Sequence, residues 1–151
     1  MVKTLKCLRF IGLLSREGKN GKELKELREI KKRLKLAYAK LSMAQSFVSN
    51  RDVRRNLIAS AILTGSIAVM PDFMHSLYLK SSMSEIRKAL KRLKKIIKKE
   101  KRDDRRLMLE RLTYVLSRIE KAEVKDIYKV ILEAQDIIDS IIISYSGEYS
   151  V

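Results

Sequence analysis

The stretch LIASAILTGSIAVM (Leu57–Met70) runs for fourteen residues without a charge, in a chain of which 34% is charged. A helix of that length spans about 21 Å, whereas the hydrocarbon core of a bilayer is about 30 Å thick. Half of its residues are Ala, Ser, Thr or Gly, which let neighbouring helices approach closely. We therefore expect a buried helix, ended by Pro71, at the centre of a helical bundle. A membrane-associated hairpin around Pro71 is the alternative.

The composition around this stretch favours a single domain of long helices. The chain has 151 residues but only five Gly and one Pro, too few turn formers for a β or α/β fold of this length. Cys7 is the only cysteine and His75 the only histidine, so we expect no disulfide framework and no metal site. Since Gly-rich phosphate loops and nucleophile motifs are also missing, we expect no enzymatic activity and no cofactor.

Four further segments carry apolar residues at alternating spacings of three and four, the pattern of amphipathic helices packed in a bundle. Their apolar positions are Leu27, Ile30, Leu34, Ala37, Leu41, Ala44 and Val48; Met83, Ile86, Leu90, Leu93 and Ile97; Met108, Leu112, Val115 and Ile119; and Val124, Ile127, Ile131, Ala134, Ile138, Ile141 and Tyr145. The predicted fold is therefore all-α, a bundle of four to five antiparallel helices around the apolar central helix.

The predicted boundaries follow from local turn and capping residues. REGKNG (Arg16–Gly21) is expected to break the N-terminal helix, which divides the chain into a basic N-terminal helical arm and linker, 1–21, and a bundle domain, 22–151. The expected caps are Asn50 closing the first bundle helix, Asp52 starting the second, the box Ser82-x-x-Glu85 opening the third, Asp103 or Asp104 opening the fourth, and Gly147 ending the fifth.

Positive charge is the strongest functional signal in the sequence. The net charge is +16, and ten of the sixteen residues from Arg87 to Arg102 are basic. Because the apolar positions of that helix face the core, its cations must cover the outer surface, where like charges need anionic partners. The candidate nucleic-acid-binding residues are Lys3, Lys6, Arg9, Lys31, Lys32, Arg33, Lys35, Arg87, Lys88, Lys91, Arg92, Lys94, Lys95, Lys98, Lys99, Lys101 and Arg102.

These features favour binding to a nucleic-acid backbone over reading of its bases. Asn and Gln, which read base edges, are rare, and no aromatic residues interleave with the basic run to stack on single strands. Duplex DNA is the favoured partner and RNA the second. The short apolar run near the N-terminus is interrupted by Lys6 and Arg9, so we expect a retained helix rather than a secretion signal.

The leading functional hypothesis is a non-enzymatic structural protein that coats or packages DNA in many copies, in a virion or an intracellular nucleoprotein. Its general character, with the Lys-rich and Ile-rich composition typical of heat-adapted proteins, suits the coat of a filamentous virus of hot environments, although no motif carries that resemblance. The near-neutral C-terminal helices would pack against neighbouring subunits, which are further copies of the chain or a paralogous helical partner. One alternative is a small helical subunit of a ribonucleoprotein effector complex, and the other is a basic membrane-associated helical protein.

Overall fold

A computed structural model of the protein describes residues 3–146, and describes side chains from residue 21 onward. Within that range the chain is all-helical and contains no strand, as predicted. Five α-helices follow one another: α1 (Lys3–Ser49), α2 (Arg51–Thr64), α3 (Pro71–Ile97), α4 (Asp103–Ser117) and α5 (Val124–Ser146). Short 3-10 turns at Ile67–Val69 and Arg118–Lys121 precede α3 and α5.

The N-terminal helix continues through the segment that was expected to interrupt it. Helix α1 runs unbroken from Lys3 to Ser49, so the predicted break at Arg16–Gly21 is wrong. A glycine inside a helix costs only about 1 kcal/mol, and the neighbouring Arg, Glu and Lys residues are good helix formers. Whether residues 1–21 act as an arm separate from the bundle stays a prediction.

The apolar stretch 57–70 is not the buried centre of the molecule. Helix α2 ends at Thr64, because Gly65 adopts a left-handed conformation with φ 62° that closes it. Pro71 begins α3, at a first-turn position where its missing N–H costs nothing. Ala61 is the only buried residue of α2. The central-helix prediction is therefore wrong, because the four amphipathic helices cover one another and leave α2 at one end.

The core lies among α1, α3, α4 and α5. The predicted apolar positions of α1 and α5 are buried except at their ends, Val48 and Val124. In α3 the buried stripe is turned toward Ile86, Ala89, Leu93 and Ile96, so the expected Met83, Leu90 and Ile97 are only partly buried. In α4 the sequence missed two fully buried residues, Leu109 and Leu116.

Four predicted caps differ in the structure. Asn50 does not close α1 but starts α2, where its side chain accepts hydrogen bonds from the N–H groups of Asp52 and Val53. Asp52, the predicted cap of α2, therefore lies in the first turn of that helix. Ser82 lies in the middle of α3, buried, and donates a hydrogen bond of 2.7 Å to the Ala37 carbonyl oxygen. Asp103 and Asp104 occupy the first turn of α4 but neither is its cap. Gly147 lies outside the described residues.

Polar contacts between α1 and α3 fix how these two helices lie. His75 Nδ1 is 2.8 Å from the Ala44 carbonyl oxygen, near the end of α1 and the start of α3. Arg92 Nη1 donates to Glu26 Oε2 at 2.7 Å, far along α3 but early in α1. The two helices therefore run in opposite directions and pack side by side.

None of the described helices combines the length and apolar character needed to cross a membrane.

Candidate functional site

A basic groove opens along the surface between α1 and the second half of α3. It has a volume of about 840 Å³. Eight of its eleven lining residues are basic, two are acidic and one is apolar. They are Lys22, Lys25, Arg33, Lys88, Lys91, Arg92, Lys95 and Lys99, then Glu23 and Glu26, then Ile96. We call this surface the basic groove.

Helical periodicity explains why so many cations face one groove. The cations of this wall recur at spacings of three and four and so share one stripe: Lys88, Lys91 and Lys95 on α3, then Lys99 in the turn directly after it. Residues four apart lie about 6 Å apart along the axis. The core residues hold α3 against α1. This row of charges therefore lies opposite the charged residues 22–33 of α1.

Two ion pairs cross the groove and join its walls. Arg92 on α3 pairs with Glu26 on α1 at 2.7 Å, and Arg33 on α1 pairs with Glu85 on α3 at 2.8 Å. The two residues of these pairs lie 66 and 52 residues apart in the sequence, so no local spacing signal could have revealed them.

Glu85 is the centre of a three-cation cluster at the end of the groove. Its side chain is 7% exposed, and it also pairs with Lys40 Nζ at 3.3 Å and Lys88 Nζ at 3.2 Å. Burial alone would raise the pKa of this carboxyl group, but hydrogen bonds from Lys88, Arg33 and Lys40 outweigh it and lower the pKa below 4.5. Glu85 is therefore a charged structural residue rather than a proton donor.

Five of the groove cations have no acidic partner of this kind. Among the described residues, no ion pair involves Lys22, Lys25, Lys91, Lys95 or Lys99. All five are exposed. Lys22 and Lys25 were not among the sequence candidates; they alternate with Glu23 and Glu26 in the sequence. In the structure Arg92 pairs with Glu26.

The predicted basic cluster of α1 does not form one surface. Lys31 turns toward α5 and donates to Asp139 Oδ2 at 2.7 Å, whereas Arg33 turns toward α3. Lys32 and Lys35 are exposed and line neither wall. Consecutive helical residues point about 100° apart, so a run of basic residues in sequence spreads around the helix.

The predicted cations of α3 also divide between two sides. Six of the seventeen candidates line the groove: Arg33, Lys88, Lys91, Arg92, Lys95 and Lys99. Arg87, Lys94, Lys98 and Lys101 are exposed but lie outside it. Arg102 precedes α4 and donates to Asp104 at 2.9 Å. The side chains of Lys3, Lys6 and Arg9 lie outside the described part of the chain.

The described side chains also bear on two other kinds of site, a metal site and a reactive tyrosine. No group of three His, Cys, Asp or Glu residues between 21 and 146 is placed to hold a metal ion. Tyr145 is fully buried, its hydroxyl donates to Glu100, and Arg105 lies 3.7 Å over its ring. Burial and the Glu100 carboxylate raise the pKa of Tyr145 far above its ordinary value, which suits a packing role.

No protein-family model matches the chain, and neither does any curated protein or solved structure.

Proposed function

We propose that the protein binds the phosphate backbone of nucleic acid through the basic groove, without enzymatic activity. The observation that carries this proposal is the set of five groove lysines for which no side chain from residue 21 to residue 146 supplies an acidic partner, next to three paired cations. Phosphates would supply the missing anions. A duplex strand offers one phosphate per 3.4 Å of its axis, so lysines about 6 Å apart on α3 can contact several phosphates at once.

The lining of the groove favours binding without sequence preference. Its described residues include no Asn, Gln or aromatic side chain, which are groups that read adenine edges or stack on unpaired bases. Its two arginines are already engaged by Glu85 and Glu26. Lysine binds phosphate as a mobile point charge and carries little information about the base.

We further propose that the protein works in many copies, as a coat or packaging protein on duplex DNA in a virion or an intracellular nucleoprotein. A net charge of +16 in 151 residues exceeds what solubility requires and would neutralise a long stretch of backbone when copies line up. RNA has the same phosphate chemistry and is the second candidate partner.

Binding to unrelated duplexes at several salt concentrations tests this proposal. With nuclease-treated protein, we expect similar affinities for two duplexes of equal length and different sequence. If five lysines each neutralise one phosphate, the logarithm of the association constant should fall with the logarithm of salt concentration with a slope of about −4.5. A preference above tenfold for one sequence, or a slope near zero, would show that the proposal is wrong.

The same preparation separates the two alternatives. Strong preference for single strands, or binding only in the presence of partner proteins, would favour the ribonucleoprotein subunit. Flotation with phosphatidylserine vesicles together with weak nucleic-acid binding would favour the membrane-associated protein. Equal binding to unrelated duplexes without vesicle binding supports the coat protein.

A further inference from the structure

The end of the molecule opposite the groove carries an uncovered apolar surface. It consists of α2, the following 3-10 turn and the start of α3, residues 51–79, and we call it the protrusion. Among the described elements, α2 and the 3-10 turn contact only each other, α1 and α3. Helix α5 contacts the middle of α1, where the rings of Tyr38 and Tyr128 lie 5.1 Å apart. Neither α4 nor α5 contacts α2 or the 3-10 turn, so the protrusion extends beyond the four-helix core.

Large apolar side chains are exposed on every part of the protrusion. Ile62, Leu63 and Ile67 are 76%, 86% and 78% exposed. Met70, directly before α3, and Phe73 and Leu77 on that helix follow at spacings of three and four and are 41%, 48% and 49% exposed. His75, between them, faces α1, so Phe73 and Leu77 point away from it.

The size of this surface corresponds to one half of a protein interface. The six side chains expose roughly 700 Å² of mostly apolar area, against about 800 Å² per partner in a specific stable complex. The largest apolar patch on a typical monomer is about 300–600 Å² and is itself often functional. Contact with one further surface of similar size would cover it.

The charge distribution points to a second copy as the occupant. Residues 57–79 contain a single charged residue, Asp72, in a chain of net charge +16. Two copies repel each other least when they meet through this segment. The arginines at the start of α2, up to Arg55, are about 12 Å or more along the helix from Leu63, beyond the screening length of about 8 Å at physiological salt.

A bilayer fits the same surface less well. Proteins that insert at a membrane interface place Trp and Tyr at headgroup level and cations directly beside the apolar tip. The chain has no Trp, Tyr78 is partly buried with its ring against Phe47, and the nearest arginines of α2 lie at the far end of that helix.

We infer that the protrusion is the contact surface through which copies of this chain associate. This deepens the proposed function, and rests on it for its biological role, because a coat requires an interface between subunits. It also moves the interface from the C-terminal helices, where the sequence placed it, to residues 62–77. Like-charge repulsion opposes the contact and salt screens that repulsion, so association strengthens as salt rises, opposite to nucleic-acid and anionic-vesicle binding.

Sedimentation velocity of the nucleic-acid-free full chain tests the inference. Dimers or larger species should form with increasing concentration, and more readily at 500 mM than at 100 mM salt. The charge-neutral double variant Leu63→Ser/Ile67→Ser should weaken association by roughly a hundredfold or more, because four aliphatic side chains leave each pair interface. Both residues are so exposed in the single chain that the fold should be unaffected, which circular dichroism checks.

The matched control is Leu107→Ser/Ile143→Ser, which removes side chains of similar exposure, 69% and 70%, from α4 and α5. It should associate like the unchanged protein. A chain that stays monomeric at all concentrations, or one whose association only the control weakens, overturns the inference. So does vesicle flotation abolished by Leu63→Ser/Ile67→Ser in a monomeric protein. Duplex affinity measured at concentrations where the chain is monomeric reports on the groove alone, so the two proposals fail separately.

Discussion

Glu85 shows how one buried carboxylate organises the positive surface around it. Three cations from two helices converge on it, and without its charge they would repel one another next to the core. Hydrogen bonds to charged groups contribute about 1.5–3 kcal/mol each when one partner is buried, so the position of Glu85 matters more than that of a surface glutamate. It also fixes where Arg33 and Lys88 lie along the groove.

Replacement of Glu85 by Gln should lower the free energy of unfolding at pH 7 by about 2–3 kcal/mol, because three cations lose their common counter-charge. The measurement is urea denaturation. Glu26→Gln is the control, since among the described residues Glu26 pairs with Arg92 alone, and both side chains are at least one-third exposed; it should cost about 0.5 kcal/mol. Equal losses for the two variants would show that Glu85 has no special role.

The same residue predicts the acid sensitivity of the fold. The folded-state pKa of Glu85 lies below its ordinary value of 4.5, so its stabilisation is complete above that pH and is lost as pH falls through the lower folded pKa. The difference in stability between the unchanged protein and Glu85→Gln should therefore shrink steadily below about pH 4.5. A difference that stays constant down to pH 3 would contradict this assignment.

At the scale of elements, small residues set the spacing of α1 and α3. Ala37 and Ala89 are fully buried, and the short side chain of Ser82 reaches across to a backbone carbonyl of the neighbouring helix. Such a contact requires close packing of the two helix backbones, as small interface residues permit. Because α1 is long and continuous, both α3 and α5 pack against it.

Ala37→Leu should lower the free energy of unfolding by about 1–3 kcal/mol, since the larger side chain has no space between α1 and α3. Ala39→Leu, two residues away on the exposed side of the same helix, should change it by less than about 0.5 kcal/mol. Denaturant titration of both variants makes the comparison. Similar effects at the two positions would contradict close packing of α1 against α3.

Helix-period patterns predicted the core elements well and the placement of α2 poorly. The stripes of α1 and α5 are buried because an amphipathic stripe specifies both the helix and the face that must be covered. The segment 57–70 is apolar without a polar side, so its pattern does not say which partner covers it. The same limit applied to Pro71 and Ser82. Proline can follow the end of one helix or stand in the first turn of the next, and serine can cap a helix or lie buried inside one, depending on neighbours distant in sequence.

At the scale of the whole molecule, the sequence predicted the charge but not its grouping. The basic run 87–102 predicted the α3 side of the groove, and six of the seventeen candidates line the groove as a whole. Lys22 and Lys25 also line it, because α1 packs on α3. Lys31 does not, because it pairs with Asp139, 108 residues away in the sequence. Which cations lack an acidic partner depends on contacts between residues far apart in the sequence, and local sequence patterns do not predict those contacts.

The central claim is that the basic groove, and not positive charge in general, binds the phosphate backbone. Lys88 and Arg92 are unsuitable for this test, because they form ion pairs with Glu85 and Glu26 and their replacement would also change the structure of the groove. Lys95 and Lys99 line the groove, whereas Lys94 and Lys98, one residue earlier in each case, are also exposed but lie outside it. The double variants Lys95→Gln/Lys99→Gln and Lys94→Gln/Lys98→Gln therefore remove the same charge from neighbouring positions at the end of α3 and in the turn that follows it.

The most direct test is the salt dependence of duplex binding for this pair of variants. Lys95→Gln/Lys99→Gln should weaken binding and reduce the steepness of the log–log salt slope by about 2, one for each lost phosphate contact. Lys94→Gln/Lys98→Gln should leave the slope within about 0.5 of that of the unchanged protein. Equal reductions in both variants, or none in the first, would contradict the assignment of the groove as the nucleic-acid interface.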